Sequence, residues 1–333
     1  MEESLKMTRK HFSRLGGMFI LGTVIIYAVQ LIPTAIIQML RPEWLQNGNI
    51  SLSLSMVPMY LIGMPALIAL VKTIPTENVE KRKMEWWQFL VAVLMCFGLV
   101  YASNLIGTAV STVIGILKGS AVQNTILDVV TSISTVFVIL YMVICAPFME
   151  EYVFRKLIVE RTIKYGQGVA VVVSGLMFGL FHGNLNQFVY AFTLGCFLAF
   201  IYVKTGKLKI TIAMHMMVNL MGSVVSLKLM EMIDIDRYLK IVADGMDMDA
   251  LMAYMSENAT GWILYMLFVL FMIGTILTAL VMFIVCFATK RITFDRGAVV
   301  IPKGKRFSTV ILNVGMLIYC IFWIVMIMVQ LFM

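Results

Sequence analysis

Apolar runs dominate the chain and are broken by short polar clusters rather than by domain-length polar stretches. A helix needs about 20 apolar residues to cross a hydrocarbon core. Spans are predicted near 15–40, 54–74, 86–117, 124–149, 167–182, 186–203, 210–229, 260–288 and 309–332. The third is long enough to be tilted, or broken near Asn104 and Gly107. The fold class expected is therefore all-α, a polytopic transmembrane bundle of about 8–9 spans. The first span follows Lys6, Arg9, Lys10 and Arg14, exceeds a signal-peptide core and precedes no small-residue cleavage site, so it is expected to be retained.

Composition agrees with the pattern. The 333 residues are 61% hydrophobic and only 13% charged, against about 25% charged in soluble domains. The mean hydropathy is +0.95. The net charge of +8 sits in short loops between spans, so the partner it implies is membrane lipid with anionic headgroups and no nucleic acid. The stretches 1–14, 72–86, 150–166, 204–209 and 289–308 hold 21 of the 26 Lys and Arg. By the positive-inside rule they face the cytoplasm, which places the N-terminus there, and the acidic stretch 231–259 then lies outside. All five cysteines fall within apolar runs with no CxxC pair, which argues against disulfides and thiolate metal sites. The 29 Met scatter along every span as packing. The richness in Met, Lys and Ile points to a bacterial source and so to the plasma membrane.

Three polar clusters stand where lipid tolerates them least: Glu150-Glu151-Tyr152-Val153-Phe154-Arg155, Phe178 to His182, and His215 to Asn219. Ionisable groups within spans cost roughly 2.5–3.5 kcal/mol each on insertion scales, so they are functional candidates by default. Glu150 and His182 would lie a full membrane apart if each simply ended a span. A hairpin removes that conflict, with a helix restarting after Pro147, running through Lys164 and reversing at Gly166-Gln167-Gly168. Both residues then sit about 22 Å above the turn at ~1.5 Å per residue. Glu151 and Arg155, four apart, are expected to pair, leaving Glu150 without a local partner. His215 and Asn219 share a helix face. The division of labour expected is Glu150 with His182 activating water, and His215 with Asn219 donating to an oxyanion. The site is expected to open to the cytoplasm. Asn184, Asn186 and Gln187 read as loop polarity.

Pro147, Glu150-Glu151 and Arg155, then Phe178-x-x-x-His182, then His215-x-x-x-Asn219, resemble the three signature motifs of the CAAX-protease and bacteriocin-processing (CPBP, or Abi) family of intramembrane endopeptidases. The resemblance covers residues 125–230 and implies a bundle of about eight helices with a catalytic core there. Residues 1–124 and 260–333 would then be flanking transmembrane helices. It implies Glu150 as base, His182 as its partner and His215 with Asn219 as oxyanion donors; Glu151, Arg155 and Phe178 would orient them. Lys156 departs from the small residue that many members carry after the motif arginine.

The function expected is a glutamate-dependent intramembrane peptidase acting on hydrophobic or lipidated peptides or proteins. Zinc catalysis usually needs three protein ligands, often from His-Glu-x-x-His, and that motif is absent. No metal or other cofactor is therefore expected, with zinc on Glu150, His182 and His215 as the alternative. An ion-coupled carrier would also explain intramembrane Glu and His, but no inverted repeat accompanies them. A non-catalytic immunity or scaffold protein is the third reading.

Overall fold

The computed structural model describes residues 2–122 and 125–332, and the side chains of all of these but 125–128. Among the described residues, eight helices are long and apolar enough to cross a membrane, and a ninth apolar helix is shorter. In chain order they are α1 (Glu2–Leu40), α2 (Gly48–Lys72), α3 (Trp86–Lys118), α4 (Thr135–Tyr165), α5 (Gln167–Phe181, the short one), α6 (Leu185–Thr205), α7 (Leu208–Met232), α8 (Ala259–Ala288) and α9 (Val314–Phe332). There is no strand among the described residues. The chain is an integral, multi-pass membrane protein.

Local chemistry fixes the helix ends. Glu85 and Gln88 form a reciprocal capping box at the start of α3, which satisfies amides that have no partner in the helix. Asn184 caps α6 through its side chain, which accepts from Gln187 N. Gly166, at φ 109°, reverses the chain between α4 and α5, a conformation open to glycine and strained for other residues.

Several boundaries differ from those expected. Asn124, where the fourth span was expected to start, lies outside the described residues. No helix restarts after Pro147, because α4 runs unbroken from 135 to 165. Proline normally clashes with the carbonyl four residues earlier. Here residues 138–145 are wound as a π-helix, and the wider turn lets Pro147 pass without ending the helix. Similarly, α3 is continuous through Asn104 and Gly107. The acidic stretch after α7 folds into two short helices, Ile235–Ala243 and Met248–Glu257.

Helices α5 and α6 pack side by side, α6 lies against α3, and α3 lies against α8. Helix α1 is flanked by α2 and α9, while α7 leans on α4 and α6. Gly175 of α5 meets α6 closely, since a Cβ there would come within 2.8 Å of the Cys196 backbone nitrogen. Small residues permit such contact, and it draws helix backbones together where lipid supplies no hydrophobic drive. The outcome is a compact α4–α5–α6–α7 group that holds all three polar clusters.

Candidate active site

Helix α4 presents two adjacent carboxylates to different surroundings. Glu151 is turned into packed protein and fully buried, whereas the Glu150 side chain keeps 18% of its surface exposed. Arg155, one turn further on and also fully buried, reaches both Glu151 oxygens, Nε to Oε2 at 3.0 Å and Nη2 to Oε1 at 3.0 Å. Its Nη1 donates to Ser174 Oγ at 3.0 Å. That hydroxyl in turn donates to the Phe154 carbonyl at 2.8 Å. The guanidinium lies 4.7 Å from the centre of the Phe178 ring, a favourable cation–π distance. Arg155 thus ties α4 to α5 through a hydroxyl and an aromatic face.

His215 of α7 completes the pair from the other side. Its Nδ1 lies 3.0 Å from Glu151 Oε1, and its Nε2 lies 3.7 Å from Glu150 Oε2. A carboxylate only accepts, so the proton of the neutral ring belongs on Nδ1 and the Nε2 lone pair faces Glu150. His182, at the end of α5, follows the same logic. Its Nδ1 lies 2.9 Å from the Phe178 carbonyl, which leaves Nε2 as the acceptor. The Phe178 ring meets both imidazoles edge-on, with centroids at 4.8 Å for His182 and 5.7 Å for His215.

Asn219 has a partner that sequence spacing did not indicate: its Nδ2 donates to the Met142 carbonyl at 2.8 Å. In the π-helical turn the Ala146 amide bonds to Tyr141 O. The Met142 carbonyl would then look to residue 147, and Pro147 has no N–H to give. One amide hydrogen of Asn219 fills that gap, and the second remains for the cavity.

All four residues, with Phe178, line one cavity of about 1010 Å³. Its lining continues through Met56, Ile116, Tyr141, Asn186, Gly222 and Leu227. Every one of these lies away from the helix ends that carry the basic loops. On the basic side the interior is filled by Val153, Phe154, Ile158 and Val159, each fully buried. The basic loops are also stitched across that end: Glu77 N bonds Glu160 O, Arg82 N bonds Thr205 O, and Val299 N bonds Lys164 O. The expected opening on the basic-loop face is therefore contradicted, because packed side chains and bonded loops close that route.

The reading of Asn184 and Gln187 as loop polarity also needs correction. They form a bonded series into the cavity that ends on Tyr190, and their three-residue spacing was the signal available in the sequence. Among the described residues, no three His, Cys, Asp or Glu side chains converge to hold a metal ion.

Removing one partner of the buried pair leaves the other uncompensated, at a cost of about 3–5 kcal/mol. Arg155→Ala is thus expected to lower the thermal midpoint in detergent sharply, and Glu151→Ala/Arg155→Ala to be milder than the sum of the single changes. An Arg155→Ala protein that melts like wild type would rule out this role.

Comparison with known proteins places this arrangement. The Rce1-like family, described as type II CAAX prenyl endopeptidase Rce1-like, matches residues 132–221. A putative membrane peptidase of Bacillus subtilis, YdiL, is 24% identical over 166 residues, 48% of this chain and 66% of that protein. The membrane-embedded CAAX protease MroQ of Staphylococcus aureus is 29% identical over 212 residues, 59% of this chain and 84% of that protein. The match thus spans about two thirds of the first relative's length and more of the second's. No solved structure matches. The matched segment contains Glu150, Glu151, Arg155, His182, His215 and Asn219, and through it the chain is similar to the CAAX-protease (CPBP) family.

Proposed function

We propose that this protein is an intramembrane peptidase that uses Glu150 to activate water against peptide bonds of hydrophobic or lipidated, membrane-associated substrates. The observation that carries the reading is the carboxylate of Glu150, open to the cavity and 3.7 Å from an imidazole nitrogen whose other nitrogen is bound to a buried, arginine-paired carboxylate. In the proposed reaction a water held between Glu150 and His182 Nε2 attacks the carbonyl carbon. Its proton passes to Glu150 and on to His215 Nε2, where Glu151 stabilises the imidazolium. His215 then carries an Nε2–H to set against the oxyanion, joined by the free amide hydrogen of Asn219. Collapse breaks the C–N bond, and the proton leaves on the amine. No metal takes part in this scheme. Apolar lining residues such as Phe97, Val100, Val218 and Leu227 suit a hydrophobic segment or lipid chain.

The same proposal places the N-terminus in the cytoplasm of a plasma membrane, following the distribution of Lys and Arg. The cavity mouth then faces the exterior, and the substrate enters from that side.

Glu150→Gln keeps the side-chain shape and removes the base. In proteoliposomes supplied with internally quenched farnesylated or hydrophobic peptides, it is expected to lose cleavage below detection with an unchanged melting temperature. Activity within a few-fold of wild type would refute the role of Glu150.

Access is tested by labelling intact cells with a membrane-impermeant maleimide after introducing Ser120→Cys or Ser223→Cys, both in the cavity lining, into a cysteine-free background. Labelling from outside is expected. Labelling only in inverted vesicles would reverse the orientation.

A further inference from the structure

Asn184, Gln187 and Tyr190 repeat at a spacing of three across the start of α6, and their hydrogen bonds have a direction that can be worked out from fixed backbone groups. Asn184 Oδ1 accepts from Gln187 N at 2.8 Å. Asn184 Nδ2 donates to the His182 carbonyl at 3.2 Å. A backbone amide and a backbone carbonyl therefore hold the Asn184 amide in one orientation. Its Nδ2 also donates to Gln187 Oε1 at 2.5 Å, which fixes the Gln187 amide in turn. Gln187 Nε2 must then donate to Tyr190 Oη, at 2.9 Å. The Tyr190 oxygen is an acceptor in that bond, and among the described residues its own proton has no taker.

Tyr190 and Gln187 line the same cavity as Glu150, His182 and His215. Tyr190 is also near enough to Glu150 for the two to interact electrostatically. A hydroxyl proton left unsatisfied beside apolar walls is unfavourable unless a ligand supplies an acceptor. The acceptor that a peptide substrate brings is a carbonyl oxygen. Asn219 has meanwhile committed one of its amide hydrogens to Met142, so the cavity has room for another donor.

We propose that Tyr190 is a further catalytic residue, its hydroxyl donating to the scissile carbonyl oxygen as charge develops there, with Asn184 and Gln187 as positioning residues that keep that proton turned into the cavity. The inference rests on the peptidase reading above. No covalent bond to Tyr190 forms and no proton leaves it; the contribution is one hydrogen bond that strengthens in the transition state.

The test uses full-length protein in proteoliposomes with a panel of internally quenched farnesylated and hydrophobic peptides. Tyr190→Phe is expected to lower kcat by about 10²-fold, the scale of losing one such donor, with KM within two-fold and the melting temperature unchanged. Gln187→Glu supplies the second arm. A carboxylate can only accept, so it would capture the Tyr190 proton and turn it from the cavity. A comparable fall in kcat is expected, and the double variant should be no worse than Tyr190→Phe alone. If Tyr190→Phe fails to fold, the Gln187→Glu result decides. A kcat within two-fold of wild type in either folded variant, or a rise in KM alone, overturns the assignment while leaving the peptidase reading intact. Wild type that cleaves none of the panel, behaving like Glu150→Gln, overturns both.

Discussion

The buried Glu151–Arg155 pair is the constraint on which the candidate site depends. Both side chains are fully buried, and the desolvation they suffer is offset only if every remaining hydrogen-bonding position is filled. Several of those positions are filled by the groups that shape the cavity. Arg155 takes Ser174 and the Phe178 ring from α5, and Glu151 takes His215 from α7. Satisfying one ion pair thus brings three helices into register. It also directs the second imidazole nitrogen of His215 toward Glu150. The pair exchanges no proton in the proposed chemistry, yet the orientation of His215 follows from it and Glu151 stabilises the imidazolium.

A second constraint runs through Pro147. Its ring requires a wide turn, and its missing N–H leaves the Met142 carbonyl without a backbone partner. Asn219 supplies the missing hydrogen bond, so the irregularity in α4 becomes a link to α7. Helix α4 passes Glu150 without a break and ends before Gly166, where α5 turns back to carry Phe178 and His182 to the same level. The packing beneath Glu150 then closes one end of the bundle and leaves the cavity to open at the other.

Much of this was legible in the sequence. Apolar run lengths marked the spans, and residues spaced by four marked both the Glu151–Arg155 pair and the shared face of His215 and Asn219. Periodicity identifies a helix face but says nothing of what stands opposite it. Hence Glu150 looked partnerless, although His215 approaches it from a helix far along the chain, and Asn219 gave no sign of its bond to Met142. The π-helical winding of 138–145 and 152–159 is invisible to a reading at 3.6 residues per turn, and Pro147 therefore looked like a break. Asn184 and Gln187 read as loop polarity because polar residues near a span end are ordinarily solvated, and only their bonds distinguish a series from a loop. The direction of the cavity depends on how side chains fill each half of the bundle, which no single helix records.

The central claim is that Glu151 holds His215 with its proton on Nδ1 and its Nε2 lone pair toward Glu150. The chain has only 3 histidines, so ¹⁵N-histidine spectra of the protein in lipid near neutral pH, assigned by His11→Gln and His182→Gln variants, resolve each ring. The account predicts a protonated Nδ1 and a bare Nε2 for His215. A spectrum showing His215 protonated on Nε2 and bare on Nδ1 would contradict it.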